Sequence, residues 1–180
     1  MDAVALLKKY FVNRETFEIV LRHSRLVADK ALGIASTLDA GIDLAFIEEA
    51  ALLHDIGVSK IYAPKLGCFG EFPYICHGVL GREILESEGF PVHAMVCERH
   101  IGVGLTRDDI VRQKMPLPVR EMSPLNLEEK IICFADLFYS KNPASLAAEK
   151  SHEEIRTAME KFGAHKVAVF DRWLSEFGTP

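Results

Sequence analysis

Between residues 17 and 31 the residues Phe17, Val20, Leu21, Ser24, Val27, Ala28 and Ala31 recur at steps of three and four. That spacing puts them on one face of an α-helix and fits no strand. The pattern repeats along the chain, while strand signals are scarce. Asp43 can cap a second helix, LAFIEEAALLHDI, with Gly57 just past its end. A loop carrying Pro64, Gly67, Gly70 and Pro73 follows. CHGVLGREILESEG reads as a helix stopped by Gly89, and Pro91 opens another through VHAMVCERH. Residues 101–125 hold glycines early and Pro116, Pro118 and Pro124 late. This reads as an extended loop with one short helix capped by Thr106, and such a loop in a compact domain is often functional. Asn126 caps NLEEKIICFADLFYSK, and two more helices start near Ser151 and Gly163. No repeat or linker interrupts the series, so the expectation is an all-α helical bundle, one domain over 1–180.

The composition excludes several classes. With 180 residues, 49% hydrophobic and 26% charged, the chain can bury a core of ordinary size. The net charge is -5 and no long basic run exists. An extended nucleic acid is therefore not expected as a partner, whereas a small anionic, phosphorylated ligand could bind a local basic pocket. No segment has the form of a signal peptide or the length of a bilayer span, so the expected location is cytoplasmic and off the membrane. Cys68, Cys76, Cys97 and Cys133 form no CxxC pair and read as free thiols.

The chemistry concentrates in four residues. The run HDIG at 54–57 falls where a helix ends. Successive helical side chains point about 100° apart, so neighbours seldom share a site in mid-helix. At a terminus both His54 and Asp55 can turn to one ion, and the two oxygens of Asp55 could bridge two. His23 lies between Val20 and Val27, at the edge of its apolar stripe. Asp136 interrupts the run IICFADLF, where a carboxylate needs a cationic partner or a metal. Two imidazoles and two carboxylates suit a divalent transition metal: manganese, iron, cobalt, nickel or zinc.

A His on an early helix, an HD pair ending the next and a later Asp inside an apolar helix resemble the HD superfamily of helical, metal-dependent enzymes, mostly phosphohydrolases. The segments HDIG, HGVLGREIL, ERHIGVG and EEKIICFAD extend the likeness to its small, stand-alone HDIG-type members. The resemblance implies an HD-type bundle with its metal-site core over about 14–141. It implies that His23, His54, Asp55 and Asp136 hold one ion, and that Asp55, His77 and His100 hold a second. Gly102 and Gly104 read as a turn presenting His100. The C-terminal helices, 151–178, carry Phe162, Val167, Phe170, Trp173, Leu174 and Phe177, which could complete the core or form a homodimer contact.

Candidate phosphate contacts are Lys60, Arg82, Arg99, Arg107 and Lys141. Lys60 stands first because it follows HDIG closely, and Asp55 and Lys60 are the expected catalytic pair. Some two-metal HD enzymes place a Lys directly after HDIG, where this chain has Val58. Arg107, Arg112, Lys114 and Arg120 of the Pro-rich loop could close over an anionic substrate. His93, His152 and His165 read as surface residues. The implied reaction is phosphohydrolysis by metal-activated hydroxide, on a phosphomonoester, nucleotide or cyclic nucleotide. Two alternatives use the same residues. One is a di-iron oxygenase cleaving a C–C or C–P bond, whose gating Tyr and Glu would correspond only loosely to Tyr10 and Glu15. The other is a non-catalytic nucleotide-binding module.

Overall fold

The computed structural model describes residues 1–38 and 41–178. Among these, nine α-helices carry the fold: α1 (Ala3–Tyr10), α2 (Arg14–Ser36), α3 (Leu44–Leu53), α4 (His77–Ser87), α5 (Pro91–Arg99), α6 (Arg107–Arg112), α7 (Leu127–Asp136), α8 (His152–Glu160) and α9 (Ala164–Phe177). No described helix is long and apolar enough to cross a membrane. The caps follow from residue type. Asn13 accepts from the amides of Glu15 and Thr16, Asp43 from Phe46 and Asn126 from Glu129. Thr106 with Asp109, and Ser151 with Glu154, form reciprocal capping boxes.

Helix α2 is the spine. It packs against α1, α3 and α7, while α4 packs against α5 and against the 3-10 turn Ile56–Lys60 that follows α3. Two apolar cores form along it. Phe17, Val20 and Leu21 join α1, α4, α5 and α6 around Leu7, Leu85 and Ile110. Val27, Ala28, Ala31 and Ile34 join α3, α7, α8 and α9 around Phe134, Phe170 and Trp173. His23 and Ser24 fall at the junction, so the polar centre sits where the two cores meet. Phe170, Trp173 and Phe177 are buried in the second core. The C-terminal helices therefore complete the interior.

Three local features depart from expectation. Helix α3 stops at Leu53 rather than running through Ile56, and the chain tightens into the 3-10 turn. Gly57 lies within that turn. A Cβ there would stand 2.0 Å from the His77 carbonyl oxygen and 2.4 Å from the Gly81 amide nitrogen, so only glycine lets α4 approach this closely. Helix α7 stops at Asp136 rather than continuing to Lys141. The next three amides, Leu137, Phe138 and Tyr139, bond back three residues, which overwinds and ends the helix. The loop after the HDIG turn holds a short hairpin, β1 (Tyr62–Ala63) antiparallel to β2 (Cys68–Phe69), with Tyr62 opposite Phe69 and Ala63 opposite Cys68. These strands are too short for an alternation signal.

The Pro-rich segment is fastened to α9 by a buried ion pair. Lys166 Nζ lies 2.5 Å from Asp109 Oδ2 and donates to the Gly104 carbonyl at 2.6 Å. Burial disfavours the Asp109 carboxylate, but Lys166 and the Thr106 capping groups outweigh it and hold Asp109 below the usual carboxylate range. Removing one partner of a buried pair leaves a charge without compensation, which costs about 3–5 kcal/mol. Arg112 also touches Asp109, at 2.8 Å, so Lys166→Met is expected near the lower end, about 3 kcal/mol, in denaturant melts. A depressed acid contributes its stability above its unfolded-state pKa, about 3.9, and loses it as pH falls through the folded value. The deficit of Lys166→Met should therefore shrink below about pH 4. An equal deficit at pH 7 and pH 3 would show that the ion pair is not its source.

Candidate metal centre

Five of the six predicted ligands stand at the ends of helical segments. His54 is the C-cap of α3, Asp55 precedes the 3-10 turn, His77 is the first residue of α4, His100 is the C-cap of α5 and Asp136 is the last residue of α7. Only His23 lies in mid-helix, in α2. The placement has a physical advantage, because helix ends leave carbonyl oxygens without an intrahelical donor. Three histidines use such neighbours. Nδ1 of His54 donates to Ala51 O at 2.6 Å, that of His77 to Tyr74 O at 2.7 Å, and that of His100 to Cys97 O at 2.7 Å. A carbonyl can only accept, so Nδ1 carries a proton and Nε2 faces the centre, free to offer its lone pair whenever the ring is neutral. Each reach spans three residues backward, so the orientation is built locally.

All six side chains converge, and Asp55 divides them. Its Oδ2 lies 3.2 Å from His23 Nε2 and 3.0 Å from His54 Nε2. Asp136 Oδ1 completes that side, 2.9 Å from His23 Nε2 and 3.5 Å from His54 Nε2. The other oxygen, Oδ1, lies 3.5 Å from His77 Nε2 and 3.6 Å from His100 Nε2. The side chains thus fall into the two groups expected from the sequence, meeting at one carboxylate.

The donor set fits divalent cations. Apart from the Lys141 ammonium beside Asp55 Oδ2, the oxygens of Asp55, both ring nitrogens of His23 and Nε2 of His54 are buried without a well-formed hydrogen bond. Buried polar atoms left in that condition need a ligand. His77 and His100 bring their Nε2 atoms to 3.0 Å of each other. Burial, reinforced by His100, pushes His77 down to about 3, so it is neutral. Two inward lone pairs at that distance suit a shared electrophile. On the other side, burial opposes a charge on His54, but Asp55 and Asp136 outweigh it and raise it to about 10. A cation taking that position displaces a proton.

The structure separates the candidate phosphate contacts. Lys141 reaches the centre: its Nζ lies 2.5 Å from Asp55 Oδ2, and the carboxylates hold it well above the usual lysine range against the cost of burial. The early end of α7 turns the chain back far enough to allow this. The other cations are not brought to the cluster. Lys60 is exposed and bonds to none of it. Arg99 pairs with Glu129 at 2.9 Å, Arg82 with Glu86 at 2.8 Å and Glu98 at 2.7 Å, and Arg120 also with Glu98. Arg112 is taken by Asp109, and Arg107 and Lys114 are exposed.

Residues not singled out by sequence line the approach, Tyr74 and Lys150 among them. A cavity of about 280 Å³ opens against Asp136 and Lys141 and is walled by Tyr74, Ser140, Lys150 and Met159, among others. The Asp136 side chain is 16% exposed and that of Asp55 is 0%, so the centre opens on the Asp136 side. Lys150 donates to the carbonyls of Leu137 at 3.0 Å and Tyr139 at 3.2 Å, which caps the end of α7. The Tyr74 ring lies 4.8 Å from that of His77. A larger hollow of about 540 Å³, between residues 10–14 and the hairpin, contains none of the ligands and has no part in this chemistry.

With the ligand order and the helical scaffold both in place, the class follows: the chain belongs to the HD domain family, whose model matches residues 20–140 and so contains all six residues. It is similar to an uncharacterised protein, MJ0778, of Methanocaldococcus jannaschii, with 35% identity over 123 residues, 66% of this chain and 65% of that protein. It is also similar to tRNA (cytidine(56)-2'-O)-methyltransferases of Thermoplasma volcanium and Picrophilus torridus. Identity is 28% over 171 residues and 30% over 157 residues, covering 94% and 77% of this chain but 45% and 42% of those proteins. The chain thus spans no more than 65% of the length of these curated relatives. Among solved structures, the HD domain of the L. monocytogenes phosphodiesterase PgpH matches with a TM-score of 0.57 at 16% identity, covering 98% of this chain and 86% of that one. The same domain in complex with cyclic-di-AMP also gives 0.57 at 16% identity, covering 98% of each chain. At that identity the likeness establishes the fold.

Gly57 gives a direct test of how the centre is held. Gly57→Ala must push the start of α4 away, and overpacking of this kind costs about 1–3 kcal/mol. Because His77 begins α4, the variant should also bind Mn(II) or Co(II) more weakly by titration calorimetry. Unchanged stability and unchanged metal affinity would contradict the close packing.

Proposed function

We propose that the chain is a metal-dependent phosphohydrolase acting on a phosphomonoester, nucleotide or cyclic nucleotide. The observation that carries this is one buried carboxylate facing two groups of imidazole nitrogens, with the Lys141 ammonium beside it and lining a cavity. Divalent ions held by His23, His54, Asp55, His77, His100 and Asp136 would supply Lewis acidity, polarising phosphoryl oxygens and making water nucleophilic near neutral pH. The chain's own groups do the rest. The Nδ1 bonds of His54, His77 and His100 fix their rings before substrate arrives, so little reorganisation is needed during reaction. Lys141 and Lys150 both line the cavity; Lys141 would attract a phosphoryl group to the Asp136 opening, while the Lys150 ammonium, bonded to the Leu137 and Tyr139 carbonyls, adds positive charge behind it. Burial and the two carboxylates keep the Tyr74 phenol protonated, with Lys141 opposing, so Tyr74 can donate a hydrogen bond at the same opening.

The fold neighbours support a phosphoester substrate, since PgpH is a phosphodiesterase whose HD domain has been seen with cyclic-di-AMP. The tRNA methyltransferases that share this region add a nucleic-acid context. The Tyr10 hydroxyl is bonded to Glu88 and Glu15 is exposed at the start of α2, so these two residues lend no support to an oxygenase reading.

Phosphate release should therefore be measured anaerobically with Mn(II), Fe(II), Co(II), Ni(II) and Zn(II). Lys141→Ala is expected to lower kcat/KM roughly 10–100-fold, the worth of one charge-assisted contact, with Lys141→Arg recovering part of it. Product formation that requires oxygen, with no phosphate released, would overturn the proposal.

A further inference from the structure

The oxygen of Asp55 that faces His23 and His54 is claimed twice. It lies 3.2 and 3.0 Å from their Nε2 atoms, and Asp136 Oδ1 lies 2.9 and 3.5 Å from the same two nitrogens. Ligand atoms held at about 2.1 Å around one ion stand roughly 3.0–3.4 Å from each other, so these four atoms have the spacing of a coordination shell. Yet Asp55 Oδ2 also holds the Lys141 ammonium, at 2.5 Å. An ion on that oxygen at about 2.1 Å would lie no more than about 4.6 Å from Lys141 Nζ. The Lys141 side chain is 11% exposed and that of Asp55 0%, so little solvent screens two positive centres this close together.

Of the groups around this oxygen, Lys141 is the one free to yield. His23 is fixed in mid-helix, and His54 is held by its Nδ1 bond to the Ala51 carbonyl. Lys141 lies past the end of α7, outside any helix, on a flexible four-carbon stem. It also lines the cavity of about 280 Å³ together with Tyr74 and Ser140, whose hydroxyl oxygens can accept from an ammonium. We infer that Lys141 and the first metal ion compete for Asp55 Oδ2, so that loading of the His23, His54 and Asp136 set expels the ammonium into the cavity. The ion then has two effects. It completes the centre, and it releases a cation for the phosphoryl group, so metal precedes substrate. The inference rests on the metal-centre reading and is independent of which phosphate ester is the substrate.

Two measurements test it. Co(II) affinity is read by competition with a chromophoric chelator in His77→Ala and in His77→Ala/Lys141→Met, a background in which the first site is read alone. Methionine keeps an unbranched stem and removes the charge. The expected result is binding tighter by roughly tenfold or more in the double variant, the effect of deleting one nearby positive charge. A lysine that merely braces the carboxylates gives the opposite sign, and equal or weaker binding would overturn the competition. The second measurement uses the wild type and does not depend on a variant that folds. Amine labelling read by mass spectrometry should modify Lys141 several-fold faster after Co(II) saturation than after chelator treatment, with the exposed Lys60 as a constant reference. Labelling of Lys141 that is unchanged or slowed by Co(II) would overturn the inference while leaving the metal centre intact. Absence of Co(II) binding to the wild type would remove the centre itself, and the inference with it.

Discussion

Asp55 is a carboxylate without exposure, ringed by four imidazoles and one ammonium. Taking an ionised group out of water costs several kcal/mol even after relaxation, so its surroundings must supply positive charge or the acid takes up a proton. Burial does push Asp55 toward protonation, yet His54 and Lys141 prevail and hold it well below the ordinary carboxylate range. The two oxygens then act as two separate anchors. One faces mid-α2 and the ends of α3 and α7, and the other faces the start of α4 and the end of α5. The meeting of the two apolar cores at His23 makes this possible, because a wholly apolar junction would leave no room for six polar side chains.

The architecture is largely a means of bringing helix ends together. Short helices that stop at His54, His100 and Asp136 leave carbonyl oxygens that orient imidazoles, and they free each ligand from the 100° spacing of a continuing helix. Close packing then fixes the distances. Gly78 faces the Cys97 carbonyl, where a Cβ would stand 2.7 Å away, so α4 and α5 approach nearly backbone to backbone. That contact sets the 3.0 Å between His77 and His100. The fastening of α9 to the Pro-rich segment through Lys166 and Asp109 lies further out.

Features decided within a few residues were legible in the sequence. The caps at Asn126 and Thr106, the helical stripe around His23 and the terminal position of His54 follow from local geometry, as does the need of Asp136 for a partner. The cations were not separable in this way. Lys60 and Lys141 are both lysines a few residues past a ligand. Their fates depend on how the chain turns: the overwound end of α7 sends Lys141 back to Asp55, while the 3-10 turn after Asp55 leaves Lys60 in solvent. Arg99 is claimed by Glu129, thirty residues away, a pairing no local pattern displays. Tyr74 and Lys150 likewise enter the approach through packing of distant segments. Helix α1 went unmarked because its buried face is narrow, with Ala3 and Leu7 as its buried residues.

The central claim is that Asp55 joins two ion sites, with His77 and His100 serving only the second. Elemental analysis of anaerobically purified protein, beside His77→Ala, tests it most directly. The account predicts two ions per chain in the wild type and one in the variant, with the fold retained. One ion per chain in both would contradict it, and would leave Asp55 as a ligand to a single metal with His77 and His100 outside the coordination sphere.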